Sequence, residues 1–449
     1  MSIKISIIGA GSHTFSLNLV RDICLTPNLK DSTISLMDID EERLNGIYGL
    51  CRRYAEEVGI KLNLEKTTDR RESLKGADFV INTALAAGGH QRLMEGWSIA
   101  MKHGYRFGGS YHIVHDEAFW INYFQLRLIE SIQQDILEIC QNAWYLLVSN
   151  PVLAATTYLR RKYPQARMVG LCHGYNGVYH LAKVLGLEKD KITFEIPGVN
   201  HFVWLTHLYY KGEDAFPLID KWIEEKEEER LKCDHTSSDT GLKPVDLYKR
   251  FGVFPIGDTC NPGGGAWPFW YHSDDATEKK WNEDPLKWYS SSFEGAKKLI
   301  AEINSVAQDV TRKVTEIFPP RMSGEGMIPI IESICCDIPR VEIVNILNDG
   351  NYVPGVPQDF EVEIPALVSK RGIEGIKTKG LPRELITYIL RDRVAPVEME
   401  LLAFEKRDRG LLLNLIMMDP WTKSEAQAKA LLDDILALPY NAEMRDYYK

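Results

Sequence analysis

Ile3-Lys4-Ile5-Ser6-Ile7-Ile8-Gly9-Ala10-Gly11-Ser12-His13-Thr14-Phe15 decides the fold. Ile3 to Ile8 is a run dominated by β-branched residues, which is how a strand buried on both faces of a parallel sheet reads. It ends in a glycine turn and passes into a helical pattern at Leu17, Leu19, Val20, Ile23 and Cys24. Strand, glycine turn and helix in that order form the context for binding a dinucleotide. Gly9 permits the tight turn. Gly11 lets backbone N–H groups approach a pyrophosphate at the helix N-terminus, and Ser12 follows at that terminus. Thr14 stands where the usual fingerprint has its third glycine.

The next strand, Thr33 to Met37, ends at Asp38. An acid at that tip accepts from both ribose hydroxyls and repels a 2′-phosphate, which favours NAD over NADP. Asp38 also stands just before Asp40, Glu41 and Glu42, so a helix N-cap is its ordinary reading. A helix follows over 41–59. Candidate strands come at Leu62–Leu64, Ala77–Thr83, Trp144–Val148 and Arg167–Leu171, with helices over 119–140 and 152–163. The alternation predicts an α/β fold with a Rossmann-type doubly wound parallel sheet. Residues 86–116, with Gly88-Gly89-His90 and Gly108-Gly109, read as a long loop over the sheet's ligand-binding edge.

The chain has 449 residues, more than one ordinary core holds. We expect a Rossmann domain over 1–195 and a mixed α/β domain over 196–449. Strands are expected at 192–208, 341–347 and 360–365, and helices over 286–315 and from Arg383 onward, broken at Asp419-Pro420. The charge run Lys221 to Lys232 reads as a solvated face. A net charge of −10 disfavours nucleic acid and anionic membranes as partners. The eight cysteines show no CxxC spacing, and no apolar run approaches a membrane span. A reducing cytoplasm is the expected compartment.

Two short apolar runs deliver polar groups that the fold alone does not need. Met168-Val169-Gly170-Leu171 leads to Cys172-His173-Gly174, and Gly198-Val199-Asn200 leads to His201. A buried cysteine is usually inert core and a lone histidine usually structural. Cys172 and His201 gain meaning as a pair of metal ligands. Asn150, held at a strand tip by Pro151, is placed to contact cofactor or substrate, or to form an Asx turn. Asp116 and Glu117 precede a long helix and also read as caps. Asp258 lies in the turn-rich stretch Gly252–Gly265.

Taken together, Gly9-Ala10-Gly11-Ser12, Asn150-Pro151, Cys172-His173-Gly174 and Gly198-Val199-Asn200-His201 resemble glycoside hydrolase family 4. These are glycosidases that use NAD and a metal, outside the two-carboxylate scheme. Arg321-Met322-Ser323-Gly324-Glu325 and the stretch from Val344-Asn345 to Val362-Glu363-Ile364-Pro365 extend the resemblance over nearly the whole chain.

The resemblance implies a sheet like that of lactate and malate dehydrogenases, and a homodimer or homotetramer. It implies Gly9, Gly11, Ser12 and Asp38 for NAD, Cys172 and His201 for Mn²⁺ or another divalent metal, and Asn150 for substrate. A Cys–His pair by itself suggests the softer Zn²⁺. The implied reaction is oxidation at sugar C3, loss of the C2 proton, elimination of the leaving group, addition of water and re-reduction. His173 stands where the phospho-sugar branch has Asp, so His173 is expected at an unphosphorylated α-glycoside. That branch points to Asp258 as base instead of a Tyr, and position points to Asp116 as acid, with Glu117 its rival. Cys-His-Gly resembles the α-glucuronidase subgroup. α-Glucosidase, α-galactosidase and α-galacturonidase are alternatives, and so is a hydroxy-acid dehydrogenase with net turnover of NAD.

Overall fold

The computed structural model describes residues 3–86, 90–226 and 240–449, without the side chains of His13 and Thr14. Gly88, Gly89, Cys233 and the end of the charge run at 227–232 lie outside the described residues. Strands β1 (Lys4–Ile8), β2 (Thr33–Met37), β3 (Asn63–Thr67), β4 (Phe79–Asn82), β5 (Trp144–Leu147) and β6 (Met168–Gly170) form the expected parallel sheet. Their order is β3-β2-β1-β4-β5-β6. This is the Rossmann order, with its switch point beside β1, where the glycine turn lies.

The sheet does not stop at β6. Its next strand is β13 (Arg340–Leu347), antiparallel, through the pair Asn345 and Gly170. β14 (Glu361–Ser369), β8 (Gly198–Val199), β9 (Phe202–Leu205) and β12 (Phe254–Ile256) follow in space, and β15 (Gly372–Gly375) pairs with β14. The result is a single sheet of 12 strands. A small separate sheet joins β7 (Ile192–Glu195), β10 (His207–Tyr210) and β11 (Glu213–Asp214).

Both faces of the parallel half are covered partly by the C-terminal half of the chain. On one face Ile5, Leu17, Ile23 and Leu50 share a core with Ile303, Phe318, Ile328 and Val344. On the other, Val80, Trp97, Trp120 and Tyr145 share a core with Leu385, Phe404, Leu415 and Leu432. Each such side chain contributes about 1.5–3 kcal/mol on burial. The helices Arg383–Ile389, Ala395–Lys406, Arg409–Met417 and Glu425–Ala437 supply the second layer, and the break at Asp419-Pro420 is present. No helix among the described residues is long and apolar enough to cross a membrane.

One expectation needs correcting. The region 86–116 is not loop throughout, because His90–Lys102 is a helix. Leu93, Gly96, Trp97 and Ala100 line its buried side at helical spacing. Glycines and histidines on either side obscured that period. The remaining segment, 103–118, is irregular and carries the acids that reach the site.

Gly170 is the tightest point of the join between the two halves of the sheet. A Cβ there would lie 2.7 Å from Thr156 Oγ1 and from Val152 Cγ1, and 3.0 Å from Asn345 Cβ. We expect Gly170→Ala to destabilise the chain by about 1–3 kcal/mol, the usual cost of overpacking. Urea denaturation followed by circular dichroism checks this, and an unchanged midpoint would show that the join tolerates the methyl.

Candidate active site: a nucleotide turn beside a thiol, imidazole and carboxylate

The glycine turn is fixed by bonds to the end of β2. Gly9 and Ala10 donate their N–H groups to Met37 O at 2.9 Å, so the turn is clamped to the end of β2. Gly9 has φ +85°, and a Cβ on it would lie 2.6 Å from the Ala84 backbone. No other residue type fits there without displacement. Gly11 donates its N–H to Asp38 Oδ2 at 2.7 Å, and a Cβ on Gly11 would collide with the same oxygen. The helix His13–Cys24 starts at Ser12, whose side chain makes no capping bond. Its first N–H groups therefore face outward for an anion.

Asp38 does not cap the following helix. Asp40 does, accepting from Arg43 N at 3.0 Å. Asp38 instead accepts one backbone N–H on each oxygen, from Gly11 and from Asp40. A carboxylate has about four lone-pair positions, so two remain for ribose hydroxyls. The residues present fit a dinucleotide.

The second group of residues is assembled by strand register. β8 and β9 pair through Gly198 with Val203 and Val199 with Phe202, which leaves Asn200 and His201 as a two-residue turn. β12 pairs with β9 through Ile256 and Val203, and extending that register sets Asp258 opposite His201. β14 pairs with β8 through Glu363 and Gly198, which sets Glu361 opposite Asn200. Cys172 lies two residues beyond Gly170, where β6 meets β13.

The outcome is that ligand atoms of Cys172, His201 and Asp258 all lie within 4.8 Å of one another. His201 Nε2 is 3.8 Å from Asp258 Oδ2. Gly174 donates its N–H to Cys172 Sγ at 3.4 Å, and a Cβ on Gly174 would lie 3.6 Å from that sulfur. His201 has φ +56°, a backbone conformation few residues other than glycine adopt. It is held there from outside: the Tyr111 hydroxyl donates to His201 O at 2.9 Å.

The electrostatics favour a cation. Burial first, then the carboxylates of Glu363 and Asp258, push the Cys172 thiol well above its usual value. A divalent ion would reverse that and take the thiolate as ligand. Burial also lowers the His201 pKa, which keeps its nitrogen lone pair available. The thiol of Cys172 and the imidazole of His201, with the Asp258 carboxylate beside them, fit a divalent metal.

A second acidic group stands alongside. Ligand atoms of His115, Asp116 and Glu117 also lie within 4.8 Å of one another. Neither acid caps the helix Phe119–Ile139, whose N-cap is Ala118 with no side-chain bond. Asp116 Oδ1 is 2.8 Å from His115 Nε2, which also meets Gly263 O at 3.0 Å. Burial opposes charge on both partners, yet their mutual attraction prevails. The Asp116 pKa falls below the carboxylate range and that of His115 rises. Glu117 is buried more deeply, and burial lifts its pKa to about 8.

Asn150 is half-buried just beyond the tip of β5, the strand next to β6, and His173 is exposed beside Cys172. Glu325 lies near enough to His173 for the imidazole to act on it, although burial prevails and raises the carboxyl's pKa. The loop bearing Glu325 is tied to both halves of the site. Ser323 donates its N–H to Asp22 of the first helix at 2.8 Å, and Tyr175 donates to Gly324 O at 3.3 Å.

Several residues escaped the sequence reading. Glu361 and Glu363 are buried in β14, and no ion pair among the described residues involves either. Asn200 donates its backbone N–H to Glu361 Oε2 at 3.2 Å and its amide to Glu363 Oε2 at 3.0 Å. With its amide nitrogen turned toward the acids, the orientation that gives both amide atoms partners, Asn345 donates to Glu361 at 2.6 Å and to Glu363 at 3.1 Å. The signal was available: two acids at period two inside an otherwise apolar strand. Arg393, 1% exposed, lies 3.7 Å over the Tyr111 ring and could not have been singled out among the arginines.

Residues 4–187 match the model of the family 4 glycosyl hydrolases, and residues 196–422 match that of the family 4 glycosyl hydrolase C-terminal domain. The chain belongs to family 4 of the glycosyl hydrolases and is a hydrolase acting on glycosyl compounds. It is 24% identical to an α-galactosidase of Bacillus subtilis over 446 residues, covering 97% of each chain. It is 26% identical to an α-galacturonidase of Lachnoclostridium phytofermentans over 466 residues, covering 97% of this chain and 95% of that one. Among solved structures, a 6-phospho-α-glucosidase from gut microorganisms in complex with NAD and Mn²⁺ has the same fold. The TM-score is 0.80 at 21% identity, covering 100% of this chain and 99% of that one.

The buried acid pair has a consequence for stability. Burial, ahead of its other interactions, raises the Glu363 pKa to about 8, whereas an unfolded Glu releases its proton near about 4.3. Between those values the folded chain holds more protons than the unfolded one, so stability falls as pH rises. We expect a lower urea midpoint at pH 8.5 than at pH 5.5, and a shallower fall in Glu363→Gln. An equal fall in the variant would remove Glu363 as its source.

Proposed function

We propose that the chain is an NAD- and divalent-metal-dependent α-glycosidase acting on unphosphorylated α-glycosides, with α-glucuronides as the preferred class. The observation that carries the reading is the meeting of Cys172, His201 and Asp258 at one point, at the end of the sheet that also carries the glycine turn. The relatives named α-galactosidase and α-galacturonidase support the α-glycoside class, and the neighbour bound to NAD and Mn²⁺ supports the cofactors.

In this reading Gly9, Gly11 and Ser12 hold the pyrophosphate and Asp38 the ribose. Cys172 and His201 hold the ion, and Asn150 and His173 contact the sugar. Bound NAD would supply reversible hydride transfer with the sugar, and a bound divalent ion would polarise the sugar's oxygens and make the neighbouring C–H acidic. Asp258, at the rim of the site with 25% of its side chain exposed, takes the proton from C2. The C1–O bond breaks as the C1–C2 double bond forms, and the proton held on His115 passes through Asp116 to the leaving oxygen. His115 Nε2 lies 2.8 Å from Asp116 Oδ1, within reach for that transfer. Water then adds across the double bond by the reverse of these proton transfers. The Rossmann half over 1–195, the second half over 196–449, a homodimer or homotetramer and a cytoplasmic site of action complete the proposal.

A hydroxy-acid dehydrogenase on the same scaffold would accumulate NADH, whereas this scheme regenerates NAD⁺ each turnover. The decisive screen is a panel of p-nitrophenyl α- and β-glucosides, galactosides, uronides and 6-phosphosugars, each with and without NAD⁺ and Mn²⁺. We expect p-nitrophenol release from an unphosphorylated α-glycoside with no net rise in absorbance at 340 nm. Release from α-galacturonide, α-galactoside or α-glucoside in place of α-glucuronide would reassign the sugar and leave the chemistry standing. Cys172→Ser should remove metal-dependent turnover while NAD⁺ still binds by calorimetry; full turnover in that variant would refute the ligand role. A substrate deuterated at C2 should react more slowly or exchange with solvent. If it does neither, elimination is not the route.

A further inference from the structure

We infer that Glu117 orients His201 by accepting the proton of its Nδ1, which turns Nε2 toward the ion. This inference rests on the metal site proposed above. His201 Nδ1 lies 3.4 Å from Glu117 Oε1, and the opposite ring nitrogen, Nε2, faces Asp258 Oδ2 at 3.8 Å. Both Nδ1 and Oε1 are buried, and among the described residues neither has a hydrogen-bond partner, so the facing pair is 3.4 Å apart and a small turn of the ring would join them. A buried ring N–H and a buried carboxyl oxygen left unpaired would each cost about 1–3 kcal/mol, so the two are matched to each other.

The rest of His201 is already fixed. Its backbone is set by the two-residue turn between β8 and β9 and by the hydroxyl of Tyr111 on its carbonyl. Only the ring remains to be set. Glu117 is itself anchored, because its N–H donates to His115 Nδ1 at 3.2 Å. Imidazoles that ligate a metal commonly give their other N–H to a carboxylate, which fixes the tautomer and strengthens the ligand.

The same geometry separates Glu117 from Asp116. The Asp116 side chain is 35% exposed and reaches the pocket, whereas that of Glu117 is 4% exposed and reaches the back of the His201 ring. Adjacent acids therefore do different work: Asp116 faces substrate, and Glu117 is a positioning residue.

The test is a Mn²⁺ titration of the metal-free full chain by electron paramagnetic resonance, with thermal melting and NAD⁺ calorimetry in parallel. Glu117→Ala should weaken Mn²⁺ binding about 10- to 100-fold, the usual cost of losing such a partner. Glu117→Gln keeps the shape and an acceptor oxygen, and should fall at the lower end of that range. NAD⁺ affinity should hold in both, and saturating Mn²⁺ should restore turnover. Wild-type Mn²⁺ affinity in Glu117→Gln would overturn the inference. So would turnover that stays lost at saturating Mn²⁺, because Glu117 would then be acting on substrate. If the wild-type chain itself shows no Mn²⁺ binding that depends on Cys172, the metal site fails, and that result is distinguishable from either of the others.

Discussion

One backbone pairing governs the geometry of this molecule: Gly170 opposite Asn345, where a parallel sheet turns antiparallel. Without a side chain at 170, β13 can approach β6 closely enough to continue the hydrogen-bonded ladder. Every later strand of the sheet then inherits its position from that seam. β14 follows β13, β8 follows β14, β9 follows β8 and β12 follows β9. Register carries the join across the sheet and sets the turn at His201 and the turn at Asp258 against each other. Cys172 stands two residues past the seam. Residues far apart in sequence reach one point through ladder geometry, with no long loop required.

The charge distribution follows from this convergence. Cys172 is surrounded by carboxyl groups, and the buried guanidinium nearby, that of Arg393, is covered by the Tyr111 ring. Buried carboxyl groups resolve their desolvation in different ways. Glu361 and Glu363 keep their protons and collect amide hydrogens from Asn200 and Asn345. Asp116 stays charged by pairing with His115. Cys172 receives the Gly174 N–H, and a divalent cation held with His201 would stabilise its thiolate. The acids that do not face the pocket stabilise the turn that presents His201. This also explains why a histidine tolerates a left-handed backbone here: the surrounding bonds hold it in that conformation.

The parallel half of the fold was legible because its signals are local. A buried parallel strand is a short apolar run, a crossover helix has its own period, and the glycine turn between them is set by backbone sterics. Asp38 was legible for the same reason, since it ends a strand. The helix His90–Lys102 was misread as loop because composition at its flanks outweighed the spacing of Leu93, Trp97 and Ala100. Cys172 and His201 were found by their residue types after apolar runs and by resemblance to a family. Glu361, Glu363 and Glu117 were harder. An acid in a strand or before a helix is ordinary, and only its neighbours distinguish a surface carboxylate from a buried one.

From the chain alone one could determine the Rossmann order of elements, the glycine turn after the first strand, the acid at the tip of the second and the thiol and imidazole that follow two apolar runs. These depend on contacts within about one strand or helix length, where periodicity and backbone conformation are written residue by residue. Tertiary structure decided that the sheet continues past β6, that Asp258 faces His201, and that Glu117 and Asp116, adjacent in sequence, point to different places. Those outcomes depend on strand register and burial between segments separated by up to hundreds of residues. No local pattern encodes them, because the energy that selects them arises only when the strands meet.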